Sequence, residues 1–252
     1  MKKLLFLLLI ITNAVIAQNA NELFNSANDL YKNDKFNEAI ELYKKIEAKS
    51  LVSSELYYNL GNSYYKLNKV GPSVYYFEKA LILNPLNEDV LNNLIFAKRL
   101  ALDNIEELPK TVFQKFNINY LQKLSYNQWS MVLIGFAFLA SLLFLLYYFS
   151  HTPSRKRFFF VTSLLSLIFL AITLIITINQ YSFFINNKEA IVFAEKTEVR
   201  NAPTLNSEEV FTLHEGTKVI VLDAIDNWKK IKIADGKLGW IISDEIKLLN
   251  DF

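Results

Sequence analysis

Few residues in this sequence have the side chains that catalysis requires. Cysteine is absent from the 252 residues, and the two histidines are His151 and His214. His151 lies between two apolar runs of membrane-spanning length, whereas His214 lies in a later β-rich segment, so the two cannot share a site. No zinc-protease motif, nucleophile elbow, phosphate-binding glycine loop or dinucleotide fingerprint occurs. We therefore expect no catalytic residue, no metal site and no cofactor, and predict that the protein is not an enzyme.

The side chains that remain suit protein recognition, and they recur with a period of 34 residues. Superimposing two copies of the unit pairs Asn28 with Asn62 and Lys32 with Lys66. Asn and Lys bind the carbonyl groups or carboxylate of an extended peptide, and Tyr offers apolar area with few rotors to immobilise. The residues predicted to bind protein, which we call the ladder, are Asn28, Lys32, Tyr58, Asn62, Tyr65, Lys66 and Arg99.

The period itself indicates a repeat architecture. The two copies begin at residues 20 and 54, and the second copy has Gly61, Phe77 and Pro85 where helices would pack or end. It resembles the tetratricopeptide repeat. The resemblance implies an all-α solenoid over residues 20–107, with two repeats and a capping helix. In that family the first helix of each repeat lines a concave binding surface.

Two interpretations of the ladder remain open. Its asparagines and tyrosines either present a binding surface or pack the helices against one another. The version of the repeat that grips a carboxylate carries further basic residues, and Phe24 and Tyr58 stand where one would help. We therefore do not expect a clamp for a peptide terminus.

Two uncharged apolar runs follow the repeats. Trp129–Phe149 and Phe158–Ile178 are 21 residues each and contain no Lys, Arg, Asp or Glu. A helix of about 20 apolar residues crosses the hydrocarbon core of a bilayer. The eight residues 150–157 between the runs are too few to cross back. The runs are therefore predicted to form a two-helix transmembrane hairpin.

Charge placement predicts the orientation of this hairpin. Short cytoplasmic loops retain Lys and Arg, and the connecting loop carries three adjacent topology determinants, Arg155, Lys156 and Arg157. Residues 1–17 have the charged start, short apolar stretch and small-residue cleavage site of a signal peptide. Both features predict that the segments before and after the hairpin lie outside the cytoplasm.

Residues 108–128 connect the repeats to the first span. Their apolar side chains recur at near-helical spacing between lysines. Such an amphipathic juxtamembrane linker either lies in the membrane interface or packs on the end of the repeats.

The distribution of charge argues against nucleic acid as a partner. The formal net charge is +2. Residues 18–128 carry 13 basic and 13 acidic side chains, and residues 183–252 carry 9 and 12. The surplus of positive charge therefore lies in the signal and the hairpin loop, which leaves no basic face for nucleic acid.

Short β-rich runs separated by turn residues follow the second span. The predicted strands are Ala190–Phe193, Glu208–Leu213, Lys218–Ala224, Trp228–Ile233 and Leu238–Ile242. The order of Asn201-Ala202-Pro203, Gly216, Trp228 and Asp235-Gly236 resembles bacterial SH3-like domains. The resemblance implies a small all-β barrel over residues 188–250.

Trp228 and Trp240 are the candidates for a ligand groove in this barrel. The SH3-like resemblance implies that such a groove binds peptides or cell-wall material. The alternative is that both indoles are half-buried in a small core.

The order of signal, repeats, hairpin and barrel resembles the BatE-like proteins of bacterial aerotolerance operons. This resemblance implies a multi-domain scaffold in the bacterial inner (cytoplasmic) membrane, with periplasmic N- and C-terminal domains. Its implied partners are membrane proteins with von Willebrand factor A domains. The alternative is a cell-wall sensor or adaptor whose barrel binds peptidoglycan and whose repeats recruit a wall enzyme.

Overall fold

The computed structural model describes residues 20–249. They divide into two compact units, one built from residues up to Leu108 together with those from Lys188 onward, the other from Pro109–Asn187. In the first unit we distinguish the repeat region, residues 20–108, from the sheet domain, residues 188–249. The predicted signal peptide, residues 1–17, lies outside the described residues.

The repeat region is helical. Its helices are α1 (residues 20–32), α2 (Phe36–Glu47), α3 (Ser54–Lys66), α4 (Val70–Leu83) and α5 (Glu88–Leu100). The turns that follow α1 and α3 each contain a residue with positive φ, Asp34 at 58° and Asn68 at 55°. Asp and Asn tolerate this left-handed conformation better than most residues. The two turns stand one repeat apart, so the sequence encodes the same helical hairpin twice.

Close packing of α3 on α4 depends on Gly61. A Cβ at this position would lie 2.6 Å from the Phe77 ring. The Ser73 hydroxyl donates a hydrogen bond to the Gly61 carbonyl oxygen over 3.0 Å. Small residues at these positions let the aromatic ring fill the space between the helices.

The sheet domain contains seven antiparallel strands within the described chain. They are β1 (Lys188–Val192), β2 (Lys196–Arg200), β3 (Glu209–His214), β4 (Lys218–Ile225), β5 (Trp228–Lys232), β6 (Leu238–Ile242) and β7 (Ile246–Leu248). Their order is β3-β2-β6-β5-β4-β1-β7. This arrangement is consistent with an SH3-like domain.

The count of five predicted strands was wrong, because β2 and β7 were missed. Strand β2 alternates exposed charges with the buried Thr197 and Val199. The alternation is that of a half-buried strand, but with so many charged residues the segment does not resemble a β-rich run in the sequence. Strand β7 has only three residues, too few for alternation to show.

The second unit contains two long apolar helices, α7 (Tyr126–Phe149) and α8 (Pro153–Asn186), preceded by the short α6 (Val112–Phe116) and a π-helical turn, Asn117–Leu121. Both long helices have the length and composition to cross a membrane. The hydroxyl groups of Ser163 and Ser166 on α8 donate to carbonyl oxygens of α7, over 3.4 and 3.2 Å.

The predicted hairpin loop, residues 150–157, needs correction. Helix α8 already begins at Pro153, because proline has no N–H and its φ suits the first turn of a helix. Only residues 150–152 lie between the helices. Arg155, Lys156 and Arg157 are exposed residues at the beginning of α8 rather than in a loop.

An ion cluster around the buried Glu78 joins the repeat region to the sheet domain. The Glu78 carboxylate on α4 lies 2.7 Å from the Lys98 ammonium on α5 and 3.0 Å from that of Lys218 on β4. Lys218 also contacts Glu189 on β1 at 2.7 Å. Burial by itself raises the pKa of Glu78, but the Lys218 and Lys98 charges outweigh it and lower this pKa to about 2. Glu78 is therefore ionised and needs both cations.

Polar contacts surround this cluster at the turn between β3 and β4. The Glu215 carboxylate accepts a hydrogen bond from the Gly71 N–H, in the first turn of α4, over 2.9 Å. Asp103, which follows α5, lies 2.7 Å from the His214 imidazole and accepts from the Thr217 hydroxyl over 2.6 Å. The repeat region thus uses side chains of the sheet domain to satisfy its own backbone and carboxylate groups.

We expect Gly61→Ala to lower the free energy of unfolding of the first unit by about 1–3 kcal/mol, the usual cost of overpacking. Alanine is a better helix former than glycine by about 1 kcal/mol. A loss of stability in this variant would therefore come from the contact with Phe77 and not from helix propensity. Thermal unfolding of the intact protein in detergent measures it. Gly135→Ala in α7 is the matched control, since a Cβ there meets nothing within 4 Å. Unchanged stability of Gly61→Ala would contradict the packing described above.

We expect Glu78→Gln to lower stability at pH 7 by about 1–3 kcal/mol, since the hydrogen bonds between the buried Glu78 carboxylate and two charged lysines are lost. A carboxylate whose pKa is lowered by folding stabilises the protein above its unfolded pKa, and this contribution is lost as the pH falls. For Glu78 the loss occurs between about pH 4.5 and about pH 2. The variant should therefore lose less stability than the wild type across this window in denaturant titrations.

The exposed Glu41→Gln is the control and should retain both the stability and the acid dependence. If Glu78→Gln leaves the acid dependence intact, the Glu78 cluster does not hold the unit together.

Candidate functional site

The asparagines of the ladder join neighbouring repeats. The Asn59 amide donates to the Asn28 side-chain oxygen over 2.9 Å, and the Asn93 amide donates to that of Asn62 over 2.7 Å. Tyr43 also donates to the Asn28 oxygen, over 2.6 Å. The same bond therefore recurs one repeat apart and connects α1 to α3 and α3 to α5. The side-chain oxygens of Asn28 and Asn62 serve helix packing.

The tyrosines of the ladder are half-buried. Tyr58 and Tyr65 both pack against the core of the repeat region. The Tyr58 hydroxyl accepts a hydrogen bond from Asn93 over 3.2 Å, and its ring lies 6.1 Å from that of Phe77. Each ring therefore has one face in the core and leaves part of its surface open.

The basic residues of the ladder are exposed. Lys32 forms an ion pair with Asp29 at 3.3 Å, with 74% of its side-chain surface accessible. Lys66 is exposed, and the exposed Arg99 guanidinium lies 5.5 Å from the centre of the Phe96 ring. The ladder thus divides into asparagines that hold repeats together and cations that remain accessible to a partner.

The two tryptophans of the sheet domain differ in exposure. Trp240 on β6 is only 8% exposed, and the Lys230 ammonium lies 6.0 Å from the centre of its ring. Trp228, the first residue of β5, is half-buried. Trp228 therefore has the greater free surface for a ligand, and Trp240 contributes mainly to packing.

A cleft of about 800 Å³ lies within the first unit, between the repeat region and the sheet domain. Residues of α2, α3 and α4 form one wall, and residues of β5 and β7 form the other. Its lining residues are Lys44, Glu47, Ala48, Ser50, Val52, Tyr57, Tyr75, Tyr76, Lys79, Lys229, Ile246, Lys247 and Leu248. We call it the lysine–tyrosine cleft.

The floor of the cleft is an aromatic and ionic cluster. The Lys79 ammonium is buried 4.9 Å from the ring centre of Tyr57 and 5.2 Å from that of Tyr75. It lies 3.8 Å from the Glu47 carboxylate, which also accepts from the Tyr76 hydroxyl over 3.1 Å. Burial, and then the negative charge of Glu47, raises the pKa of Tyr76. Tyr76 is therefore a neutral hydrogen-bond donor. The Glu47 carboxylate contacts both the Tyr76 hydroxyl and the Lys79 ammonium.

Sequence reasoning missed this cleft. Its two walls come from segments that are about 150 residues apart or more, and no local period relates Lys79 to Lys247. The signal that was present is the Tyr75-Tyr76 pair followed by Glu78-Lys79 within an otherwise apolar helix. Charged residues in such a helix indicate that partners are supplied from elsewhere in the chain.

The described residues, 20–249, contain no group of three or more His, Asp or Glu side chains that could hold a metal ion.

Comparison with known protein families gives two matches. The tetratricopeptide repeat family matches residues 54–87, which span α3 and α4. The bacterial SH3 domain family matches residues 195–247, which span β2 to β7. No curated protein matches the chain. The resemblance of the second 34-residue copy to the tetratricopeptide repeat and that of the C-terminal segment to bacterial SH3 domains are thereby confirmed. Each is a type of protein-interaction module.

Proposed function

We propose that this protein is a non-catalytic scaffold of the bacterial inner membrane that presents a joint tetratricopeptide–SH3 unit to periplasmic partners. One observation carries the proposal. The repeat region and the sheet domain flank the apolar helices in sequence, yet they pack into one compact unit. If α7 and α8 cross a membrane, the segments before and after them must therefore lie on the same side. An even number of spans meets this requirement.

Charge supports the choice of side. Arg155, Lys156 and Arg157 lie at the beginning of α8, next to the short connection from α7. Positive charge beside such a connection is retained in the cytoplasm. The segments before α7 and after α8 would then lie in the periplasm.

The module types support a binding role. Three cations of the ladder, Lys32, Lys66 and Arg99, are accessible, so a partner could dock on them without disturbing the fold. We extend the proposal to the BatE-like proteins of aerotolerance operons, because the order of modules agrees with theirs. The partners would then be membrane proteins with von Willebrand factor A domains.

The second candidate is a cell-wall sensor or adaptor. The match to the bacterial SH3 family favours it, as does the half-buried Trp228 at the start of β5. In this alternative the sheet domain binds peptidoglycan and the repeats recruit a wall enzyme. The two candidates differ in which surface makes the principal contact.

Cysteine labelling tests the topology, because the native sequence contains no cysteine. We expect Asn92→Cys on α5 and Asn206→Cys between β2 and β3 to react with a membrane-impermeant maleimide in intact spheroplasts. Ser154→Cys at the beginning of α8 should react only after permeabilisation. All three positions are exposed. Labelling of Ser154→Cys in intact spheroplasts, or protection of Asn206→Cys, would overturn the proposed orientation.

Charge reversal tests the ladder. We expect Lys32→Glu with Lys66→Glu to preserve the fold, since exposed substitutions usually cost less than about 0.5 kcal/mol. It should weaken partner capture from detergent-solubilised membranes roughly tenfold, because reversed interface charge penalises docking. The control is the reversal of two exposed lysines outside the ladder, Lys45 and Lys196.

Binding to purified peptidoglycan separates the two candidates. If the ladder variant retains its partners while Trp228→Ala loses binding to peptidoglycan, the cell-wall adaptor replaces the scaffold. If Trp228→Ala changes neither assay and the ladder variant loses its partners, the scaffold stands.

A further inference from the structure

We propose that the lysine–tyrosine cleft is a second recognition site, which binds a short acidic peptide in an extended conformation as an additional strand beside β7. This site is distinct from the ladder, and it involves both the repeat region and the sheet domain. Three properties of the cleft support it: its charge, its aromatic floor and the strand edge along one wall.

The charge of the cleft selects an anionic ligand. Four lysines line it, Lys44, Lys79, Lys229 and Lys247, whereas Glu47 is the one carboxylate in the lining. Glu47 already accepts from Tyr76 and neighbours Lys79. The net charge of the lining therefore favours a ligand with several carboxylates, since complementary charge steers and orients a partner.

The aromatic floor provides apolar contact for such a ligand. Lys44 lies 5.8 Å from the centre of the Tyr64 ring, and Lys247 lies 4.4 Å from that of Phe193. Rings beneath ammonium groups hold them by cation–π attraction. Lys44 and Lys247 thus each have an aromatic ring within cation–π range, and both remain exposed to a ligand.

The edge of β7 provides the backbone contacts. Strand β7 pairs with β1 and is the last strand of the sheet order in the described chain. The Leu249 N–H donates to the Glu189 carbonyl oxygen of β1 over 2.9 Å. Because backbone direction alternates along an antiparallel strand, Ile246 and Leu248 direct their N–H and C=O groups away from β1. Both residues line the cleft.

Leu248 is partly exposed, whereas Ile246 is only 4% exposed. The outer edge of β7 beside a charged, walled cleft favours addition of a peptide strand at Leu248. Backbone hydrogen bonds to β7 would fix the peptide direction, and the lysines would select acidic side chains. The volume of about 800 Å³ lies within the range of small-ligand sites, about 300–1,000 Å³. The occupant is therefore a segment of a few residues rather than a folded domain.

Fluorescence anisotropy with the intact protein in detergent tests the proposal. The probe is a labelled hexapeptide in which glutamate alternates with valine, and its comparison is the same peptide with glutamine in place of glutamate. We expect the acidic probe to bind at least tenfold more tightly than the glutamine probe, and 0.5 M salt to remove most of this preference. Replacing a central valine of the probe by proline should abolish binding, because proline has no N–H for strand pairing.

Charge reversal in each wall provides the second readout. Lys44→Glu on α2 and Lys229→Glu on β5 should each weaken acidic-probe binding about tenfold, and circular dichroism verifies that both variants are folded. The ladder variant, Lys32→Glu with Lys66→Glu, is the matched control and should bind the probe like the wild type. Lys44→Gln and Lys229→Gln, with smaller losses, replace either glutamate variant that does not fold.

The outcomes distinguish this site from the proposed scaffold function. Equal binding of the acidic and glutamine probes, or no binding of either, overturns the acidic-peptide site and leaves the ladder untouched. Loss of probe binding in the ladder variant alone places the acidic peptide on the repeats and also overturns it. Competition by phosphatidylglycerol vesicles in place of selective peptide binding would identify the cleft as a lipid site and overturn the peptide proposal.

Discussion

The ionised carboxylate of Glu78 is the constraint on which the first unit depends. A buried charge is destabilising unless paired, and its two cations come from different parts of the chain, Lys98 from the repeat region and Lys218 from the sheet domain. Neither part alone can supply both. Buried ion pairs seldom add much stability over apolar packing, but removal of one partner is severely destabilising. The cluster therefore specifies how the two parts dock, and it makes each depend on the other.

This docking gives the protein a surface that neither module has alone. The lysine–tyrosine cleft has one wall from α2, α3 and α4 and the other from β5 and β7. The exposed cations of the ladder belong to the repeat region alone. The ladder and the cleft are therefore two separate surfaces of the first unit. A change in how the two parts dock would therefore alter the cleft, whose walls come from both parts, more directly than the ladder.

The features that could be predicted from the sequence are those with a local period. The 34-residue repeat and its helices follow from recurring packing residues such as Gly61 and Phe77. The long apolar helices follow from composition, although their ends do not, because Pro153 begins α8 earlier than the charge pattern indicates. The cleft could not be predicted, since pairing Glu78 with Lys218 across 140 positions leaves no local signal. The role of the ladder asparagines could not be predicted, because residues that pack neighbouring repeats and residues that bind a partner recur with the same period.

The first unit is interrupted in sequence, and this has a consequence for its biogenesis. Residues 109–187 separate its two parts, so the repeat region is synthesised before the sheet domain exists. Until Lys218 of β4 and Phe193 have been synthesised, Glu78 lacks one of its cations and Tyr75 lacks the ring that lies 5.4 Å away. The repeats must therefore pass through a half-assembled stage with a charged, aromatic surface uncovered. The first unit can therefore be completed only after both apolar helices have been synthesised.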